Sequence, residues 1–251
     1  AAECSGVPTL KLKLLACAIS GGIMSMAGAP YPTYASYVDP VSAFSLTIGD
    51  VLLVKSFTIS IEAGEIVTLM GPSGCGKSSL LAYIAGDLSP PMYGNGHVTL
   101  DGVDLVYLPA EQHHVGRLFQ DDLLFPHLTV GENLLFGVPR GSLSKRQHLV
   151  SEALASAQLE GFEDRDPGTL SSGQRARVAL FRALMAKPKA MLLDEPFSKL
   201  DAELRHSVRN YVFAHLRERQ IPTLLVTHDR EDAPAGGRVF RISNKGDMIL
   251  A

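Results

Sequence analysis

The sequence has little of what marks several common protein classes. Its three cysteines (Cys4, Cys17, Cys75) are odd in number and lack metal-ligand spacing, so they indicate neither a disulfide framework nor a zinc site. No apolar run reaches the roughly 18 residues that a membrane-spanning helix needs. The longest, Leu14 to Pro30, is broken by Ser20, Gly21, Gly22, Ser25 and Gly28. Neither sign of charge dominates: 23 Lys and Arg stand against 26 Asp and Glu, a formal charge of −3. That balance gives no electrostatic footprint for nucleic acid. Repeats, low-complexity tracts and long charge runs are missing too. What remains is ordinary for a folded protein: 46% hydrophobic and 20% charged residues over 251 positions, the size of one large α/β domain.

Residues 1–37 have a different character. The chain starts at Ala1 rather than Met; Lys11 and Lys13 precede an apolar stretch, and Ala27-Gly28-Ala29 stands before Pro30. This is the layout of a secretory signal. Pro30-Tyr31-Pro32 then reads as extended linker, because proline fixes φ and biases its predecessor away from helix. The segment is either a signal or surface anchor, or an upstream extension with no role in the folded domain.

From about Val38 the pattern alternates strand and helix. Val51–Val54 and Phe57–Ile61 read as strands, the second with period two, and Ile66–Met70 as a short buried parallel strand. Residues 78–85 read as a helix. Asp101-Gly102 marks a hairpin between 97–100 and 103–107, and Val115–Phe119 is a further strand. Residues 148–157 and 174–186 place apolar side chains on one helical face, and 202–219 is a long amphipathic helix. Strands return at 190–194, 223–227, 239–243 and 248–250. This alternation argues for a mostly parallel sheet with right-handed crossovers.

Gly71-Pro72-Ser73-Gly74-Cys75-Gly76-Lys77-Ser78 fits G-x-x-x-x-G-K-[ST], followed by Ser79, between an apolar strand and a helix. Glycines let backbone N–H groups curl around phosphate oxygens, and the helix N-terminus adds partial positive charge. Lys77 reaches the β/γ-phosphates of a nucleotide, and Ser78 can ligate Mg²⁺. Cys75 reads as a small residue the loop tolerates, or as a reactive thiol near a helix start. A second feature is Met191-Leu192-Leu193-Asp194-Glu195, an apolar strand ending in two carboxylates. In a parallel sheet it ends on the edge that holds the phosphate loop. Asp194 then suits Mg²⁺ through its water shell, and Glu195 suits a general base for in-line attack on a γ-phosphate.

Further motifs follow in a fixed order. Leu118-Phe119-Gln120 precedes Leu170-Ser171-Ser172-Gly173-Gln174, then come Phe197-Ser198-Lys199-Leu200-Asp201 and Val226-Thr227-His228-Asp229. They resemble the Q-loop, the LSGGQ signature, the D-loop and the switch histidine of ABC-type ATPases. Ser172 replaces the first glycine of the signature. The resemblance covers about Val41 to the C-terminus, and within the family it lies nearest the ATP-binding subunits of bacterial importers. It implies a P-loop NTPase (RecA-like) α/β core, with an N-terminal antiparallel β subdomain and an inserted α-helical subdomain at about 121–180.

The resemblance also implies roles. Two copies would pair head to tail, each ATP lying between the phosphate loop of one and Ser171, Gly173 and Gln174 of the other. Gln120 would sense Mg²⁺ and water, His228 the γ-phosphate, and Asp201 would couple the two sites. Transmembrane permease subunits would dock on the apolar segment 121–137, whose residues read alternatively as core between subdomains. A separate substrate-binding protein and a place on the cytoplasmic face of the inner membrane are implied as well. Nucleic acid is not an expected partner, although the other reading is a soluble ABC ATPase acting on ribosomes or DNA. The adenine-stacking position falls near Ile48, with Phe44 as a substitute. Because such an ATPase needs cytosolic ATP, residues 1–37 then read as a poorly ordered upstream extension, and the domain as 38–251.

Overall fold

The computed structural model describes residues 44–48, 51–243 and 246–251. Residues 1–37 lie outside these, as do the side chains of Phe44 and Ile48, so those expectations are not addressed by the structure.

A six-stranded sheet forms the centre, in the order β11(Met248–Leu250), β10(Val239–Ile242), β3(Ile66–Met70), β9(Thr223–Val226), β8(Ala190–Asp194), β7(Val115–Leu118). Every pairing is parallel except the terminal β10–β11 hairpin. A separate antiparallel sheet joins β2(Val51–Phe57), β1(Phe44–Ile48) and β4(Met92–Asn95), and β5(Thr99–Leu100) pairs with β6(Val103–Asp104). Five helices complete the described fold: α1(Lys77–Ala85), α2(Val130–Gly137), α3(Leu143–Ser156), α4(Ser172–Met185) and α5(Ala202–Glu218).

The central strands read as unbroken apolar runs because both faces of the sheet are covered. Side chains alternate across a strand, so Met191 and Leu193 of β8 and Leu225 of β9 join a core with Leu134, Leu154, Phe181 and Val212 of the helices. Leu192, Leu224 and Val226 point the other way, to Leu80 and Leu81 of α1 and to Val54, Ile59 and Ile61. Phe181 and Phe197 are almost wholly buried, and each such side chain contributes about 1.5–3 kcal/mol by burial.

Several elements differ from the sequence reading. The strand expected at Phe57–Ile61 instead ends at Phe57. Ile59 and Ile61 are buried nonetheless, so the alternation there reported burial, with strand pairing reduced to an isolated bridge at Ile61. β6 stops at Asp104, whose carboxylate accepts from the Val106 N–H and starts a single turn over Leu105–Tyr107. α3 begins at Leu143 rather than His148. Strands β1 and β4 and helix α2 are additions; α2 is announced by a capping box in which Thr129 and Glu132 bond reciprocally.

Candidate active site

Four of the parallel strands end on one edge, and each delivers a predicted site residue. β3 leads into Gly71 of the phosphate loop, β9 into Thr227 and His228, β8 into Glu195, and β7 into Phe119 and Gln120.

The phosphate loop is built by close approach. A Cβ on Gly71 would lie 3.0 Å from both Cys75 Sγ and the Ile242 carbonyl, so only glycine lets the loop turn against β10. Gly76 takes φ 91° as the N-cap of α1, and no side chain caps the helix. The first N–H groups of α1 therefore lack side-chain partners, as an anion cradle requires. Lys77 Nζ donates to the carbonyls of Gly71 and Pro72, both at 2.8 Å, and so arches over the loop. Pro72, Ser73, Gly74 and Ser78 are exposed and Ser79 is half-buried. Cys75 packs against the core beneath the loop.

At the end of β8, Asp194 is buried. Glu195 turns into the left-handed region, φ 51°, where its carbonyl accepts from the hydroxyl of Ser198 at 2.9 Å. That turn aims the carboxylate across the edge. Glu195 Oε1 meets His228 Nδ1 at 2.8 Å, and Oε2 is withdrawn from water without a hydrogen-bond partner. Gln120, from β7, lines the same narrow cleft as Glu195, along with Asp122, Ala176 and Lys199. Four predicted residues of the edge thus gather: Asp194, Glu195, His228 and Gln120.

Behind His228 stands a network that sequence reasoning missed. Asp232 is fully buried, accepts from Arg205 at 2.8 and 2.6 Å, and accepts the Thr227 hydroxyl at 3.0 Å. Glu231's N–H and Arg205 hold the Asp229 carboxyl below its ordinary range. Arg205 sits one turn into α5, the helix that Asp201 caps through the Leu204 N–H. No sequence motif links Arg205 to Asp232 across 27 positions.

Ser171 and Gln174 form a capping box at the start of α4. The Ser171 hydroxyl accepts from the Gln174 N–H, which leaves its own proton to donate outward. Ser172 is the first helical residue, and Gly173 is required by packing: a Cβ there would meet the Lys199 carbonyl at 2.9 Å. Among the described residues, no hydrogen bond or ion pair joins 171–174 to the phosphate loop. Gln174 spends its side chain on the cap.

The apolar segment 121–137 is partly core and partly exposed. Val130 and Leu134 are core, whereas Leu123 and Phe136 are 55% and 67% exposed. Phe125 and Phe136 pack edge to face at 4.7 Å and line an open groove of about 320 Å³ with Phe119, Asp121, Asp122 and Arg182. The buried Asn133 shapes its wall, accepting from the Phe125 N–H and donating to the Phe125, Leu128 and Thr129 carbonyls.

A parallel sheet with a phosphate loop at its carboxyl edge and an acid pair at the end of the next strand but one defines a P-loop NTPase. The chain matches the ABC transporter family over residues 54–198. It is 46% identical over 203 residues to YnjD of Escherichia coli (strain K12), an uncharacterised ABC transporter ATP-binding protein, covering 80% of this chain and 93% of that one. It is 41% identical over 206 residues to FbpC of the same organism, an Fe(3+) ions import ATP-binding protein, of which it spans 58%. The dimeric structure of MJ0796, a bacterial ABC transporter cassette, superposes with a TM-score of 0.73 at 30% identity, covering 84% of this chain and 95% of that one. The chain belongs to the ABC transporter family, as an ATP-binding and ATP-hydrolysing subunit.

Proposed function

We propose that this chain powers a bacterial membrane importer. Two copies pair head to tail, each ATP held between one phosphate loop and the partner's signature, and permease helices dock in the Phe125–Phe136 groove. The observation that carries this is the division of the motifs. Lys77, Asp194, Glu195, His228 and Gln120 lie along one sheet edge, while Ser171 and Gly173 sit on a helix end with no bond to it. A second copy supplies what one chain leaves apart. The MJ0796 cassette is dimeric and has a post-hydrolysis form bound to ADP and Pi. FbpC and PotA, two of the relatives, are named as import subunits.

The residues fit a Mg–nucleotide. The start of α1 offers N–H groups free of side-chain caps; Ser78 is exposed in its first turn, and Asp194 is buried at the end of β8 on the same sheet edge. Among the described residues no group of three or more His, Cys, Asp or Glu could hold a metal alone. Ser78, Asp194 and Gln120 would hold Mg²⁺ together with phosphate and water oxygens. When bound, Mg²⁺ neutralises charge that develops on the phosphate oxygens. Lys77 shares that charge. His228 fixes one oxygen of Glu195. A water admitted with the nucleotide beside the other, sheltered oxygen would give it a proton as the water's own oxygen attacks the γ-phosphorus, and the bond from that phosphorus to the β–γ bridging oxygen breaks, yielding ADP and phosphate.

No described helix is long and apolar enough to cross a membrane. Attachment to the cytoplasmic face then runs through permease subunits, with a separate substrate-binding protein delivering cargo. The test is Glu195→Gln, expected to slow hydrolysis by about 10²–10⁴-fold while trapping an ATP-dependent dimer in size-exclusion chromatography. Wild-type turnover in that variant overturns the base assignment. Purification from native membranes should recover a multispanning permease; recovery of ribosomes or DNA instead overturns the importer reading.

A further inference from the structure

Asp122 stands two residues beyond Gln120, and its carboxylate joins three segments. Oδ1 accepts from Lys199 Nζ at 2.9 Å, and Oδ2 faces Arg175 Nε at 3.5 Å. Lys199 belongs to the turn that follows Glu195, and Arg175 to the first turn of α4. The Asp122 side chain is 13% exposed, against 30% for Lys199 and 37% for Arg175, so the acid is the sheltered member. Its attraction for the two cations is screened less than that of a surface pair.

The surroundings give this contact a chemical consequence. Asp122, Lys199, Gln120 and Glu195 line one cleft, and Glu195 keeps a buried oxygen without a partner. Lys199 lies four residues after Glu195 at a tight turn. An ammonium released there has one other carboxylate in the cleft to pair with, that of Glu195. An ion-paired carboxylate is a poorer proton acceptor, because the cation favours its charged form. Asp122 also lines the Phe125–Phe136 groove, together with Asp121 and Arg182.

We infer that Asp122 is a positioning residue for hydrolysis: it holds Lys199 off Glu195 and ties the loop of Gln120 to the signature helix. This rests on the ATPase reading above. The acid stands between the groove and the base, so a permease pulling on this loop sets how firmly Lys199 is held.

Asp122→Asn keeps the shape and removes the charge. It is expected to lower kcat about fivefold, the effect of one ion pair at a partly buried site, with KM for ATP and the melting temperature unchanged. Lys199→Met in the Asp122→Asn background should restore most of that loss, since it removes the cation that quenches the base. Asp122→Glu should retain kcat. A purely structural pair predicts the opposite, a double variant as slow as Asp122→Asn or slower. Wild-type kcat in Asp122→Asn, or failure of Lys199→Met to restore it, overturns the proposal while leaving the ATPase reading intact. A wild-type chain without ATPase activity overturns that reading and this one with it.

Discussion

Two helices of this protein begin beside a loop expected to hold phosphate, and they begin differently. α1 opens on Gly76 in the left-handed region with no side-chain cap. α4 opens on Ser171, with Gln174 completing a capping box. An uncapped end keeps its N–H groups for a ligand and forgoes the stability a cap provides. A capped end has satisfied two of its own N–H groups and holds its geometry without help. On the proposed function the uncapped end of α1 is the one left open to bind phosphate, and the capped end of α4 is the one presented, already folded, to a second copy.

This contrast can be broken at either end. The largest effect is expected at α1: Lys77→Ala should weaken ATP binding by about a hundredfold, the loss of charge-assisted bonds to phosphate. Unchanged affinity in calorimetry would contradict the reading of that end. At α4, Gly173→Ala drives a Cβ to 2.9 Å from the Lys199 carbonyl, a backbone atom that cannot swing aside. A cost of about 1–3 kcal/mol in urea unfolding is expected from such overpacking, with ATP binding by the isolated chain preserved. Ser171→Ala should cost about 1 kcal/mol through loss of the cap, again sparing ATP binding by a single copy. If Ser171→Ala lowered the affinity of the monomer as much as Lys77→Ala, the signature would serve its own chain and the contrast would collapse.

The placement of the edge residues was legible because they lie in contiguous motifs. Gly71–Ser78, Asp194–Glu195 and His228 each follow an apolar strand, and a parallel sheet with covered faces leaves such strands little other placement. The capping residue Ser171 could be read for the same reason, since its partner is three positions away. α2 could have been read from Thr129 and Glu132, a capping box in plain sight before an apolar run. β4, with a glycine among its four residues at a sheet edge, offers no alternation to detect. Asp232 with Arg205, and Asp122 with Lys199, were out of reach. Each pair is made by tertiary placement across 27 and 77 positions, and nothing local selects one acid among many.

The strand order sets a distance scale along the edge. Neighbouring strands lie about 4.8 Å apart, so Gln120 is one step from Glu195, two from His228 and three from the phosphate loop. Side chains reach across one step, as the 2.8 Å contact between Glu195 and His228 shows. On the proposed function the edge would work as a queue: what Gln120 meets would reach His228 only by way of Glu195, which already holds that histidine at 2.8 Å.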